Sequence, residues 1–370
     1  VNTTRYETAV LGGGAVGLVA ALCSARKQPT VLLLRSRTET GDIPRIETLP
    51  APMLSLLIDY GVHPRRIGVD RLYEMQHVAW ECADPEIRRG RAMAHVDKAK
   101  LTSELLSLAA RIPHLDIVID PRAPTHGKTG WIGPGWSARR LIDATGRAAA
   151  TAARRVTAPK PWVARPFWRA APAPAPATRR EFKIAALPHG YVYRVGSSEV
   201  DSLWVAGRGA SLSASPQAIE TAIGLARADW LLEGLPPLES WQSGRAFPVS
   251  VQWAERSAAI AVGDAALARD VLSSQGMATG LSSACYAAAA ESENDRALLL
   301  QHQLAERARH LQSLSQLVAA CRYGNSAEWQ QYADFIGNHL EDAPHDTIGL
   351  SEGRLRSVRH VVFGAIPKSA

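Results

Sequence analysis

The residues best suited to chemistry lie between positions 260 and 281, in the stretch IAVGDAALARDVLSSQGMATGL. An apolar run, Ile260-Ala261-Val262, delivers Gly263 and Asp264. An ionised aspartate at a strand end can accept a hydrogen bond from a polyhydroxylated chain. It can equally cap a helix, and the two roles are compatible. After a polar turn, Gln275, Gly276 and Met277 open a helix of small residues. The free N–H groups and dipole of such a helix start favour a negative charge at that end. This is an electrostatic device, so no side chain is assigned as nucleophile or general base.

A second segment, AVLGGGAVGLVAAL at 9–22, places Gly12, Gly14 and Gly17 in a GxGxxG spacing, with Ala15 and Val16 between the last two. It sits between a short apolar strand pattern and a helical one, followed by a second buried strand at 30–34. In that β-α-β setting the first glycine permits the turn and the second lets backbone approach a pyrophosphate. The third lets the helix pack on the strand. A third segment, Asp143-Ala144-Thr145-Gly146-Arg147, closes another strand pattern. Alone it reads equally well as a strand-end turn. In this order the three segments are far more specific than any one of them, and they point to flavin adenine dinucleotide (FAD).

One position departs from the pattern. The second strand normally ends in an acid that holds the adenosine ribose hydroxyls. Here it ends in Arg35, and the next acid is Glu39. Arginine there can mark the 2′-phosphate of NADP. The alternative, preferred because the later segments suit a flavin, is an FAD site without its usual ribose anchor.

The elements that must position these residues read as α/β. A Rossmann-like FAD domain of the glutathione-reductase type is expected from 1–75, 95–155 and 253–300. A mixed or antiparallel substrate sheet is expected from 76–94 and 156–252, and a helical C-terminal region from 301–370. Within these, helices are expected at 54–60, 98–110 and 215–233, and from 276 to about 337. The proline- and tryptophan-rich 159–176, with its alternating Ala-Pro run, is expected to form a loop or sheet edge.

Composition narrows the class. The chain has 370 residues, 46% hydrophobic and 21% charged, and a net charge of +7. No apolar run reaches membrane-spanning length, so no membrane insertion is expected. The four cysteines are scattered without a CxxC pair, which suits reduced thiols and a cytoplasmic setting. The eleven histidines show no metal-ligand spacing, so no metal is expected. The basic residues are dispersed and no aromatic-basic motif accompanies them, so nucleic acid is not an expected partner.

The ensemble resembles the FAD-dependent monooxygenases of the para-hydroxybenzoate hydroxylase fold. It is most similar to the branch that holds flavin-dependent halogenases and LodB-like flavoproteins of tryptophylquinone enzyme maturation. The match runs through RIETLPAPMLSLLIDYGV (45–62), HVDKAKL (95–101), LIDATGR (141–147), HGYVYRV (189–195) and the 263–281 segment. The resemblance implies FAD contacts from Gly12, Gly14, Ala15, Val16, Gly17, Arg35, Arg45, Lys98, Asp143, Gly146, Gly263, Asp264, Gly276 and Met277. It implies hydroxylation of an electron-rich aromatic ring through a C4a-hydroperoxyflavin. The ring would be a tryptophan of a partner protein, the precursor of a quinone-cofactor enzyme. A small aromatic metabolite, or a flavin-binding chaperone with little catalysis, are the alternatives. NADPH, or reduced flavin from a separate flavin reductase, would supply electrons. His77, Trp80, His189 and Tyr191 are candidates to line the substrate pocket, though each also suits an ordinary strand position.

The departures are specific. The branch commonly has Asp-Pro-Leu-Ser where this chain has Asp270-Val271-Leu272-Ser273, and arginine where it has Lys98. Halogenases carry a Trp-x-Trp-x-Ile-Pro motif and a catalytic lysine. The motif is absent, and no lysine lies between Glu47 and Glu81. Halogenation is therefore not expected.

Overall fold

The computed structural model describes residues 3–35, 46–120, 122–151, 154–157, 162–170, 181–196, 200–208, 216–233, 244–245, 249–252, 259–270, 272 and 275–340. Arg45, the alternating Ala-Pro run, Val271 and Ser273 lie outside these residues.

Apolar strands make the first layer. β1 (Thr4–Leu11), β2 (Thr30–Leu34), β6 (Leu115–Ile119), β9 (Trp136–Asp143) and β17 (Ala259–Ala261) run parallel, in the order β6-β2-β1-β9, with β17 also on β9. All five residues of β2 are buried, as expected of a strand covered on both faces. The register sets Val10 opposite Leu32 on one side and Ile142 on the other. The antiparallel β7 (Thr125–Gly127) and β8 (Gly130–Gly133) extend the edge beyond β9.

Three helices cover one core of this sheet: α1 (Ala15–Ala25), α3 (Lys98–Ala109) and α6 (Gly276–Ala289). α1 is buried around almost its whole circumference, which its Ala, Gly, Val and Leu content permits. α2 (Ala51–Asp59) packs against the same core through Leu54, Leu56 and Leu57.

The second sheet has eight strands in the order β15-β11-β14-β13-β12-β4-β5-β3. They are β3 (Ile46–Pro50), β4 (Leu72–Ala79), β5 (Glu86–Asp97), β11 (Trp162–Ala170), β12 (Phe182–Leu187), β13 (Gly190–Gly196), β14 (Val200–Arg208) and β15 (Gly244–Arg245). Only β4 and β12 pair in parallel. β10 (Arg154–Thr157) and β16 (Val249–Gln252) form a separate ribbon.

Alternation of side chains splits this sheet into two faces. Ile184, Ala186, Tyr191, Tyr193 and Trp204 join α7 (Glu293–Ala319) and α8 (Ala327–Leu340) in one core. Ala185, Leu187, Val192, Leu203 and Val205 join α4 (Pro216–Leu225) in another. The short α5 (Asp264–Leu267) bridges β17 and the 270–276 segment.

The structure refines or departs from sequence expectation at three segments. β3 and the start of β4 belong to the eight-stranded sheet rather than to the dinucleotide domain, because their pairing partners are β5 and β12. Of the loop or sheet edge expected at 159–176, residues 162–170 form a strand paired along its length with β14 and met on its other side, among the described residues, only by the two-residue β15. The helix expected over 215–233 stops at Leu225, and Asp229–Leu231 form a separate 3-10 turn.

Candidate dinucleotide and ring site

The glycine turn, the 143–147 turn, Gly263 and the start of α6 converge on one place. A Cβ on Gly12, whose φ is +123°, would lie 2.4 Å from the Ala144 carbonyl oxygen. One on Gly17 would lie 2.0 Å from the Gly12 oxygen and 3.2 Å from Ala144 Cβ. These two glycines are therefore required by the fold. Gly14 is different, since a Cβ there would meet nothing within 4 Å and its φ of −72° suits any residue. Its exposed backbone faces open space at the start of α1. Val16, the second residue of α1, touches the other half of the site. Its methyls lie 3.1 Å from a Cβ placed on Gly263 and 2.7 Å from one on Gly280.

The helix starts differ in how their N–H groups are satisfied. Asp97 caps α3 by accepting from Ala99 and Lys100, and Ser292 caps α7 through a reciprocal pair with Asp295. α1 and α6 have no side-chain cap. The α6 cap residue Gln275 instead accepts from Arg269 Nη1 at 2.9 Å. A Cβ on Gly276 would meet nothing within 4 Å. α2 also lacks a side-chain cap, but proline in its first turn removes one donor. Thus the two uncapped glycine-led helices are packed together at their N-terminal ends, and both favour anionic groups.

Gly263, between Val16 of α1 and Gly280 of α6, brings its neighbour Asp264 to this end of the two helices. The Asp264 side chain is 39% exposed, with Arg147 Nε 3.7 Å from Oδ2. Crowding by protein raises its carboxyl above the usual range, while Arg147, Lys98 and Arg269 oppose that rise and Glu47 adds to it. Lys98 Nζ in turn binds Glu47 Oε1 at 2.8 Å. Gly263, held at φ +57°, donates its N–H to Ser283 on α6 at 3.0 Å. The far end of α6 is fixed by buried Arg140, which donates to the carbonyls of Ala290 at 2.6 Å and Ala288 at 3.1 Å. A cation there complements the C-terminal dipole of α6. Burial still lowers the guanidinium to about 10.

Asp143, expected among the cofactor contacts, forms a turn. Its Oδ1 accepts from the N–H and hydroxyl of Thr145, and its Oδ2 from the N–H and hydroxyl of Thr151. Four donors of its own loop occupy this fully buried carboxylate. Gly146 stands in that turn at φ +60°. Arg35 is exposed at the end of β2.

A cavity of about 140 Å³ lies on the α7–α8 face of the second sheet, against Leu272. Thr48, Tyr73, Gln76 and His95 supply its polar lining, and the rest is apolar, including Met75 and Phe182. Among the described residues, no Lys, Arg, Asp or Glu lines it. Tyr73 stacks on His95 with ring centroids 4.3 Å apart, and His95 Nδ1 lies 2.6 Å from the Gly196 carbonyl oxygen.

None of the four expected pocket residues lines this cavity. His77 points to the opposite face, where it meets Glu181 at 2.7 Å and Trp230. Trp80 is buried edge-on against Trp329, with its Nε1 on the Leu317 carbonyl. His189 sits on a tight turn, 3.3 Å from Glu328. Tyr191 is fully buried and donates to Asp270 Oδ1 at 2.7 Å.

That last contact reveals a cluster the sequence did not announce. Asp270 Oδ1 also accepts from Leu272 N at 2.8 Å, and Oδ2 accepts from the Tyr332 hydroxyl at 2.6 Å. Its own N–H donates to His310 Nε2 at 3.1 Å. Burial raises the Asp270 carboxyl and lowers His310 to about 3. One aspartate thereby ties the segment beside the cavity to β13, α7 and α8. The only sequence signal was its place in the 263–281 segment, since its partners lie 40 to 79 positions away.

No metal-holding group of His, Cys, Asp and Glu occurs among the described residues. None of their helices is long and apolar enough to cross a membrane.

No protein-family model matches the chain, and neither does any curated protein. Solved structures do match. A myxobacterial FAD-dependent chondrochloren halogenase superposes with TM-score 0.74 at 17% identity, over 98% of this chain and 97% of that one. The flavin-dependent halogenase CmlS gives 0.69 at 16%, over 98% and 78%. PqsL of Pseudomonas aeruginosa, described as a probable FAD-dependent monooxygenase, gives 0.64 at 14%, over 90% and 100%. The fold is therefore that of the FAD-dependent halogenases and monooxygenases.

Proposed function

We propose that the chain is an FAD-dependent oxygenase that hydroxylates an uncharged, electron-rich aromatic ring. The carrying observation is the pair of uncapped helix starts, α1 and α6, joined through Val16, with Gly263 packed against both and Asp264 next to it. The residues fit FAD. Gly14 leaves room for the pyrophosphate before α1, and Gly276 leaves room for a ring edge before α6. Asp264 would accept from the ribityl hydroxyls, and Lys98 and Arg147 would favour its ionised form on the same side.

When bound and reduced, the flavin supplies oxygen activation; one oxygen atom enters the ring and the other leaves as water. The chain's own part is positional and electrostatic. The N–H groups of Gly276 and Met277 would stabilise negative charge at the flavin ring edge. The second sheet and Leu272 would exclude water from the ring being oxygenated. Electrons would come from NADPH or from a flavin reductase.

The cavity favours a neutral ring. Its described lining carries no cation to recognise a carboxylate, and an engineered cavity of about 150 Å³ holds one benzene ring. A tryptophan side chain presented by a partner protein, during maturation of a quinone-cofactor enzyme, is the substrate supported by the LodB-like resemblance. A free small aromatic is the second reading, favoured by the one-ring size of the cavity. Halogenation is disfavoured because no lysine lines the cavity among the described residues, and the Trp-x-Trp-x-Ile-Pro motif is absent from the chain. Lys183, on β12, alternates with Phe182 and Ile184 and so lies on the opposite sheet face.

Gly14→Val tests the cofactor assignment. Its side chain meets nothing in the protein, so the variant should keep the parent's urea midpoint yet lose FAD. Retained flavin would remove the basis of the proposal. For the substrate, a candidate precursor protein and free indoles would each be incubated with FAD, a reductant and labelled oxygen. Label in tryptophan of the precursor is expected. A chloride- or bromide-dependent product would replace hydroxylation with halogenation, and label only in free indoles would replace the protein substrate with a metabolite.

A further inference from the structure

Two thiols play no part in the site described above. Cys23 lies in the C-terminal half of α1, and Cys285 lies in the C-terminal half of α6. Their sulfur atoms are 3.5 Å apart, within van der Waals contact. Both are buried, but the cover over them is thin. The half-buried Tyr60 places its hydroxyl 2.9 Å from Cys23 Sγ. The exposed Arg26 lies across the Tyr60 ring, 4.0 Å from its centroid, and Arg26 Nη2 donates to the Asp59 carbonyl. Access of a small molecule to Cys23 would require Tyr60 and Arg26 to move aside.

We propose that Cys23 and Cys285 form a reactive dithiol whose substrate is hydrogen peroxide and whose product is a disulfide stapling α1 to α6. The Cys23 thiolate attacks one peroxide oxygen, breaking the O–O bond and giving a sulfenic acid and water. The Cys285 sulfur then attacks the sulfenic sulfur and displaces its oxygen as a second water. Two thiols are oxidised by two electrons, one peroxide is reduced, and both thiol protons end in water.

The surroundings suit the division of roles. The hydrogen bond with Cys285 holds the Cys23 thiol below its ordinary range, with help from Tyr60, Arg26 and Lys27 and against burial. Cys285 is held above its ordinary range. Cys23 is therefore the thiolate that attacks, and Cys285 the resolving thiol. The other two thiols lack such a partner arrangement. Cys82 is exposed on the β4–β5 turn, and Cys321 is buried with its thiol raised to about 11. Closing the bond would shorten the sulfur separation to about 2.05 Å. The two helices are already in contact through Val16 and Gly280 nearer their N-terminal ends, so the staple would act on the pair of helices that carries the proposed flavin contacts.

The test is thiol counting and peptide mapping after adding hydrogen peroxide to the folded protein as purified. The alkylatable thiols should fall from four to two and return to four with dithiothreitol. A linked peptide pair containing Cys23 and Cys285 should appear, and it should persist in Cys82→Ser. In Cys285→Ala the linked pair should vanish while Cys23 accumulates sulfinic acid. The proposal is overturned if Cys23 and Cys285 stay alkylatable while Cys82 oxidises. It is also overturned if the linked pair forms only in urea. Because peroxide is added, failure of the flavin assignment would leave this result unaffected.

Discussion

His310 offers a sharp test of the buried cluster around Asp270. Its imidazole is 3% exposed, and its Nε2 accepts the Asp270 N–H, so the folded chain needs it neutral. Burial, with nearby Arg269, lowers it from 6.5 to about 3. The unfolded chain therefore takes up this proton first. Stability from this group is complete above the unfolded value of 6.5 and is lost as pH falls toward 3. The slope approaches about 1.4 kcal/mol per pH unit, so the loss between about pH 7 and about pH 5 should be about 2 kcal/mol. The charged groups facing the ring are Arg269, which is paired with Glu306, and Asp270. Asp270 and Asp264 are both raised by burial, so their protonation acts in the opposite direction. Comparison with His310→Gln removes that background. Glutamine can accept the same N–H but does not titrate. Urea unfolding of both proteins at the two pH values should show the extra loss in the parent alone. Parallel losses in the two would refute the buried neutral imidazole.

Arg35→Glu should strengthen FAD binding about ten- to hundredfold by restoring a charged hydrogen bond to the ribose, read by fluorescence titration; unchanged affinity would show that another group holds the ribose. Arg140→Met strands two buried carbonyls at the end of α6 and should lower unfolding free energy by about 3 kcal/mol or more in urea titrations. Asp270→Ala leaves Tyr191, Tyr332 and the Leu272 N–H without their shared acceptor. Its melting temperature should fall, and the fall should be larger at low pH, because the raised carboxyl takes up its proton first in the folded parent and adds stability there as pH drops.

Much of the framework was legible in the chain alone. Glycines at 12 and 17 announced a turn that only they can make, and the structure shows backbone where their Cβ atoms would stand. The apolar runs at 8–11, 30–34 and 260–262 announced buried strands, because a strand covered on both faces needs no polar alternation. The small-residue helix after Gln275 announced α6. These signals are local, set by backbone sterics and by which side chains can leave water.

What needed the tertiary structure is whatever depends on distant partners. Asp143 looks like a ligand-facing carboxylate in sequence, but Thr145 and Thr151 fold back to occupy both oxygens. β3 reads as part of the dinucleotide unit until its pairing with β5 places it in the other sheet. His77 and Gln76 are neighbours in sequence, yet the pleat sends only Gln76 into the cavity. Tyr191, Asp270, His310 and Tyr332 carry no mutual spacing that a sequence could display. Nor do Cys23 and Cys285, 262 positions apart, which meet because two helices of small residues can approach closely. Local sterics are written in consecutive residues. Burial, charge and contact are set by the packing of separate elements, and only the folded chain brings those elements together.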